Sequence, residues 1–168
     1  MFKGQWGLPS QKCFWENRRT GSRLITPAQL NPCSGNHMLN YILVGLGSAA
    51  GGVARFWASG FIADRFGPSF PWGTLLVNVT GSFLIGLFAT LTAPDGRWLV
   101  GPSGRNFFMS GLCGGYTTFS SFSLQTVNLA QEREWLYASA NIAGSVVMCL
   151  VAVWLGHLLA EAINSSSR

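Results

Sequence analysis

Four apolar stretches, each long enough to cross a lipid bilayer, constrain this chain more than any other feature. They cover approximately residues 39–63, 72–92, 104–128 and 135–162. A membrane-spanning helix needs about 20 mostly apolar residues, and the intervening segments carry the proline, glycine and charge that mark turns. Only 10% of the residues are charged, against about 25% in a typical soluble domain. The sequence therefore predicts an all-α membrane protein with four transmembrane helices.

Positive charge is concentrated before the first of these stretches. Residues 1–37 contain five Lys and Arg against one Glu, whereas residues 38–168 contain six Arg against five acidic residues. The first segment is polar and lacks a continuous apolar run, which is typical of a disordered extension and not of a secretory signal. A transit peptide, or a true start at Met38, stays open. The remaining domain lacks the basic face that nucleic-acid binding requires, so we expect a lipid bilayer and no nucleic acid as its partner.

The third stretch contains the most unusual run of the chain, GLCGGYTTFSSF. Gly114 and Gly115 predict a break in this helix, and a break within a membrane is tolerated only where it is buried in protein or lines a cavity. Beyond the break, Phe119 and Phe122 share one helix face. Their positive ring edges suit an anion, although two phenylalanines that simply face lipid are the plainer alternative.

Neutral polar residues interrupt the other stretches, while their central parts contain no Asp or Glu, which argues against a proton-coupled transporter. Asn78 lies near the middle of the second stretch, where an amide is costly unless it is bonded; it either bonds a neighbouring helix or donates to an anion. Tyr137, Asn141 and Ser145 recur every four residues and form one stripe of the fourth helix. Arg55, the charge within the first stretch, is expected to extend toward the membrane interface.

Small residues and arginines predict how the helices assemble. Gly47 and Gly51 form a GxxxG pattern in the first stretch, and Gly81 and Gly86 lie in the second, so we expect close helix packing. The arginines of the domain divide almost evenly between the two ends of the spans. Because arginine and lysine near the spans set orientation, this balance permits an antiparallel homodimer.

Catalytic and metal-binding patterns are not found in the sequence. There is no Ser-His-Asp, metal-ligand or phosphate-loop arrangement, so no enzyme is predicted. The four cysteines lack the spacing of zinc or redox motifs. Cys113 and Cys149 fall in apolar stretches, where cysteine behaves as a small hydrophobic residue.

Three motifs together resemble those of the CrcB/Fluc fluoride channels: GSAAGGVARF, PWGTLLVNVTGSFLIG and GLCGGYTTFSSFS. The resemblance covers residues 38 to about 160, and the arginine of its first motif is Arg55. It implies four-helix subunits with a broken third helix, paired as an antiparallel, dual-topology dimer, either a homodimer or a pair with an oppositely oriented paralogue. It also implies a multi-pass protein of the plasma (inner) membrane that exports fluoride passively.

The resemblance further implies the residues of the site. Asn78, Phe119 and Phe122 match fluoride-pore residues. The backbone carbonyls of Gly114 and Thr117 match the ligands of a structural sodium ion (Na⁺) at the dimer interface. A polar track along the third and fourth helices matches five more pore residues: Thr118, Ser121, Tyr137, Asn141 and Ser145.

Two other classes of membrane protein stay open. A small multidrug exporter also has four helices and dual topology, but it needs a carboxylate within its first helix, and this first stretch has none. A membrane assembly protein that transports nothing would use the same polar residues for helix packing, and fluoride efflux from liposomes would distinguish it from a channel.

Overall fold

The computed structural model describes residues 37–67, 69–93 and 96–165, and the regular structure within these ranges is helical. Leu39–Arg168 forms one compact unit. The extension predicted for residues 1–37 lies outside the described residues, apart from His37.

Three helices of the described part are long and apolar enough to cross a membrane, by length and composition. These are α1 (His37–Phe66), α2 (Trp72–Leu91) and the last helix, Trp135–Ser165. They agree with the first, second and fourth predicted spans. The lengths of the first and last, 30 and 31 residues, exceed the roughly 20 residues that cross the hydrocarbon core.

The third predicted span is helical in two parts. Helix α3 covers residues 102–116: it opens with the α-helical turn Pro102–Arg105, continues as the π-helical stretch Asn106–Cys113, and closes with Gly114–Tyr116. Helix α4 is Phe119–Gln131, and the last helix is α5. Because proline lacks a backbone N–H, it fits the first helical position, where that group has no helical partner. The prediction of an interruption in this span is confirmed.

Two of the helices end at a residue with a left-handed backbone conformation. Gly67 follows α1 with a φ of 79°, and its N–H bonds the Ala63 carbonyl at 2.9 Å. Arg133 follows α4 with a φ of 63°, and the next amide, of Glu134, bonds the Leu129 carbonyl at 2.9 Å. The second arrangement is a Schellman motif, which closes the helix and turns the chain at once into α5.

Helices α1 and α3 run side by side in the same direction and approach through glycines. A Cβ added to Gly47 would lie 2.6 Å from the Phe107 carbonyl oxygen, and one added to Gly51 would lie 2.8 Å from the Tyr116 nitrogen. From the α3 side, a Cβ on Gly115 would lie 2.5 Å from the Ser48 carbonyl oxygen. Small residues let helix backbones pack this closely in lipid, so the predicted role of the GxxxG pattern is confirmed.

Helix α2 packs mainly along α5, again in parallel and through glycine. A Cβ on Gly86 would lie 3.1 Å from the Val153 carbonyl carbon, and one on Gly156 would lie 2.9 Å from the Leu87 nitrogen. At its other end, Gly73 lies against Ser59 of α1. Helix α2 therefore begins beside the last part of α1, and α5 follows the direction of α2.

Along the last helix, α5, the large apolar side chains face outward, and small or polar ones lie inside the bundle. On α5 the buried residues are Ala138, Asn141, Ser145, Ala152, Gly156 and Ala160. The other faces expose large side chains, among them Leu150, Val151, Trp154 and Leu158. An exposed apolar surface of this extent is expected of a protein that meets lipid.

Polar contacts tie the helices together at the end of the bundle where α2 stops. The Arg105 guanidinium donates to the carbonyl and hydroxyl oxygens of Thr92, the residue that caps α2. A cation at this position complements the negative end of the helix dipole. Nearby, His157 Nδ1 lies 2.8 Å from the Thr90 hydroxyl, and its Nε2 lies 3.2 Å from a Glu161 oxygen.

Candidate functional site

The interruption between α3 and α4 consists of two extended residues. Thr117 has φ −82° and ψ 157°, and Thr118 has φ −151° and ψ 114°. The prediction that Gly114 and Gly115 form the break is wrong, because both stay helical. Gly115 instead permits the close contact of α3 with α1, and the chain leaves the helix two residues later.

Asn78 of α2 forms hydrogen bonds with the backbone of Thr118 at the break. Its Oδ1 accepts a hydrogen bond from the Thr118 N–H at 2.7 Å, and its Nδ2 donates to the Thr118 carbonyl at 3.1 Å. In a continuous helix the Thr118 N–H would bond the Gly114 carbonyl. A buried backbone group without a partner costs about 1–3 kcal/mol. The two hydrogen bonds of the Asn78 amide offset this cost and so stabilise the extended conformation of Thr118 within the bundle.

Thr118 also caps the start of α4. Its hydroxyl accepts the Ser121 N–H at 3.2 Å and donates to the Ser121 hydroxyl at 3.1 Å, and it lies 3.2 Å from the Ser120 hydroxyl. Thr118 is 7% exposed, so α4 and the positive end of its dipole begin at a buried residue. Broken membrane helices present such ends to anions.

A cavity of about 410 Å³ adjoins the break. Seven of the eleven predicted site residues line it together: Asn78, Gly114, Thr117, Thr118, Phe119, Phe122 and Ser145. Most of its other lining is apolar, from Ile85, Met109, Val146 and Leu150, and none of the described residues lining it is acidic or basic. An ion in this cavity would meet neutral polar groups and aromatic rings.

The two phenylalanines occupy different environments. Phe122 is 9% exposed and forms part of the core, whereas Phe119 is 78% exposed. Their ring centroids are 5.3 Å apart and their planes meet at 46°. Both border the cavity, so the side of the cavity formed by Phe119 is open in a single chain.

The polar stripe of α5 is divided between the cavity and a buried network. Asn141 is 1% exposed; its Nδ2 donates to the Thr126 hydroxyl at 2.8 Å, and its Oδ1 accepts from the Ser145 hydroxyl at 3.3 Å. Ser145 lines the cavity, and Asn141 lies one turn behind it. Tyr137 does not line the cavity. Its ring packs against that of Phe70 in an edge-to-face arrangement, with the two ring centroids 6.2 Å apart.

Two other predicted site residues lie outside the cavity lining. Ser121 is one turn into α4 and contacts Thr118 as described. Arg55 is half-buried on α1, and its carbonyl accepts a hydrogen bond from the Ser59 hydroxyl.

Sequence reasoning missed sulfur at this site. Cys113, interpreted as a small hydrophobic residue, and Cys149 both line the cavity. Their positions contained a usable signal. Cys149 lies four residues beyond Ser145 and continues the stripe of α5, and Cys113 lies four residues before Thr117.

The fold and the site define a helical membrane protein in which a cavity lined by uncharged polar and apolar side chains lies beside a broken helix. A family model described as CrcB-like protein, Camphor Resistance (CrcB), matches residues 42–157, and the chain belongs to this family. A protein of Opitutus terrae is 60% identical over 125 residues, which cover 74% of this chain and 95% of that protein. Proteins of Methylocella silvestris and Paramagnetospirillum magneticum are each 60% identical, over 75% and 76% of this chain and 96% and 99% of their own lengths.

These three relatives carry the name Fluoride-specific ion channel FluC. They are named as ion channels and not as enzymes, in agreement with the prediction that this chain is not an enzyme. The matched region includes most of α1, all of α2 to α4 and most of α5, and with them the whole lining of the cavity.

Proposed function

We propose that this chain is a fluoride-specific ion channel that exports fluoride passively from the cytoplasm and so lowers its concentration there. The observation that carries the proposal is the cavity at the helix break. It brings together residues expected from the sequence resemblance, and the relatives that share this region at 60% identity bear the name of fluoride channels.

The cavity offers fluoride the donors that must replace its water. One hydrogen of the Asn78 NH₂ group bonds the Thr118 carbonyl, and since the group has two hydrogens, the second is available to an anion. The positive end of the α4 dipole adds to it. Because these groups are neutral, they solvate an anion without holding it as an ion pair, which favours passage over storage.

Phe119→Ile tests whether ring edges contribute to the path. Edge contacts between aromatic rings are worth about 0.5–1.5 kcal/mol. For a similar contribution of the ring edge to the anion path, we expect fluoride efflux to fall by up to roughly tenfold. Phe122→Ile should lower both efflux and stability, since Phe122 is buried. Leu124→Ile, at an exposed site of the same helix, is the matched control. Full efflux in Phe119→Ile would remove that ring from the path.

The proposed architecture has four spans, with α3 and α4 together forming the third. Residues 102–131 at 1.5 Å per residue cover roughly 45 Å, enough for a hydrocarbon core of about 30 Å even with the extended step at Thr117 and Thr118. This leaves the break at a depth where only protein or a cavity tolerates it.

We also propose that two copies pair in an antiparallel, dual-topology dimer, as a homodimer or with an oppositely oriented paralogue. The support is the even distribution of arginine between the two ends of the spans and the open side of the cavity at Phe119, which a partner would cover. Light scattering on the purified protein tests this, since a mass of one chain per particle would contradict it.

A structural sodium ion fits the carbonyls of Gly114 and Thr117. The Thr118 N–H donates to Asn78, so the Gly114 carbonyl lacks its usual helical partner, and the Thr117 carbonyl has left the helix. Hard cations take carbonyl oxygens as ligands, and two from each of two chains would hold the ion and join the chains. Thermal stability that is the same in sodium and in a large organic cation would contradict this site.

Passive transport suffices for export across the plasma membrane, where we place the protein. Acidic surroundings convert fluoride to neutral HF, which crosses lipid and ionises again in the cytoplasm. A negative-inside potential then drives the anion out with about 2.3 kcal/mol per 100 mV. No energy-coupled step is required of the protein.

Fluoride efflux from liposomes tests the function. The full chain is reconstituted into vesicles loaded with potassium fluoride, the ionophore valinomycin balances the charge, and a fluoride electrode follows release. Rapid release that an equal load of chloride does not reproduce supports the proposal. Vesicles with well-folded protein that hold their fluoride would support the assembly-protein alternative instead.

A further inference from the structure

Three sulfur-containing side chains line the cavity beside the break: Met109, Cys113 and Cys149. Both cysteines are free thiols. The proposed passage of fluoride has no use for sulfur, because a thiol is a weak hydrogen-bond donor and a thioether donates none.

The sulfur residues come from two helices that face the same space. Met109 and Cys113 are four residues apart on α3. The Cys113 carbonyl accepts hydrogen bonds from both the N–H and the hydroxyl of Thr117, the first residue of the break, at 3.0 Å. Cys149 is on α5, one turn beyond Ser145. Cys113 is 3% exposed and lines the cavity.

The surroundings select for a soft ion. The described residues contain no group of three or more His, Cys, Asp or Glu side chains placed to hold a metal, so a four-coordinate zinc site is not available. Thiolate and thioether ligands select monovalent copper and similar soft ions, and two thiolates suffice for such ions because they accept linear coordination. Silver(I) has the same preference and does not change oxidation state in air.

We propose that the cavity binds one soft monovalent metal ion, copper(I) or silver(I), between Cys113 and Cys149 with Met109 as a weaker third ligand, and that the bound ion blocks the anion path. Each thiol releases its proton to water as its sulfur–metal bond forms, and no electron is transferred. The proposal that the metal ion binds does not depend on which ion the protein transports, whereas the proposal that it blocks fluoride efflux rests on the proposed function.

Silver(I) binding and fluoride efflux are measured on the same protein. The full chain carries Cys13→Ser and Cys33→Ser, so that only the two cavity thiols remain. Silver fluoride is the probe because it is soluble, and chloride is omitted throughout. Silver retained per chain after gel filtration is determined by mass spectrometry, and efflux is recorded before and after silver is added. Cys113→Ala, Cys149→Ala, the double variant and Met109→Leu are compared, each normalised to its own untreated efflux.

We expect one silver ion per chain, with the silver concentration for half-block raised by at least about tenfold in either single cysteine variant and by less in Met109→Leu. Retention of full affinity by either single cysteine variant would overturn the two-thiol site, as would equal binding by the double variant. Silver binding without any effect on efflux would overturn the block. If untreated vesicles release no fluoride while silver still binds through both cysteines, the metal site stands and the proposed function fails.

Discussion

Asn78→Ala is expected to nearly abolish fluoride efflux and to destabilise the folded chain. The substitution removes both hydrogen bonds that the amide makes to the Thr118 backbone, and each buried group left unpaired costs about 1–3 kcal/mol. It also removes the proposed donor to fluoride. A hydrogen bond to a charged group contributes about 1.5–3 kcal/mol, which corresponds to roughly a 10- to 100-fold lower rate. Efflux and the midpoint of thermal unfolding, measured on the same preparation, give the two effects separately.

Thr80→Val is the matched control for this substitution. Thr80 is on the same helix, and its hydroxyl donates to carbonyls of that helix, Leu76 at 2.8 Å and Val77 at 3.1 Å. The hydroxyl also lies 3.2 Å from the Tyr116 hydroxyl at an exposed position, and Thr80 does not line the cavity. We expect efflux to stay within about threefold of the unsubstituted chain, because exchanging an exposed hydroxyl for a methyl group costs little. Normal efflux in Asn78→Ala, with only stability reduced, would mean that the amide supports the break and never meets the ion.

Gly51→Ala and Gly52→Ala should have opposite outcomes although the residues are adjacent. A Cβ on Gly51 would lie under 3.0 Å from the Leu112 carbonyl oxygen and the Tyr116 nitrogen, whereas a Cβ on Gly52 meets nothing within 4 Å. Because the Gly51 neighbours are backbone atoms, α1 and α3 would have to separate, and overpacking of this kind costs about 1–3 kcal/mol. Gly52→Ala should be neutral or slightly stabilising, because alanine favours a helix over glycine.

The same pair of variants connects packing to transport. Tyr116 directly precedes the break and Leu112 lies one turn earlier on α3, so a displacement of α3 in Gly51→Ala moves Thr117 and is expected to reduce efflux as well as stability. Thermal unfolding in detergent and efflux in liposomes measure the two. Equal stability of the two variants would contradict the close approach of α1 and α3 described above.

Three of the four predicted spans agree with helices of the described structure, and the remaining apolar stretch is interrupted. These features were predictable because they depend on length and composition, which any single sequence displays. The position of the break was not. A pair of glycines is typical either of a flexible backbone or of close helix packing, and the neighbouring helix determines which of the two applies. Here Ser48 lies against Gly115, so this glycine serves helix packing. The break follows at Thr118, where Asn78 supplies the compensating hydrogen bonds from 40 residues away in sequence, a pairing that no local pattern contains.

The sequence identified most of the residues of the site but not how they are arranged around the cavity. A spacing of four residues placed Tyr137, Asn141 and Ser145 on one face of α5, and the described structure separates them, since only Ser145 borders the cavity. A helix face is longer than the cavity beside it, so periodicity identifies the face and not the part that is used. The π-helical stretch Asn106–Cys113 also lies beyond sequence reasoning, because over eight residues its wider turn barely changes the apolar pattern.

The reversal potential of the channel tests the central claim, fluoride selectivity, most directly. The purified chain is inserted into a planar bilayer with tenfold more fluoride on one side, tenfold more chloride on the other, and the same total salt on both, so that cations carry no net driving force. A fluoride-selective path predicts a reversal potential of about 59 mV in magnitude with the sign set by the fluoride gradient. A reversal potential near zero, or one of the sign set by chloride, would contradict it.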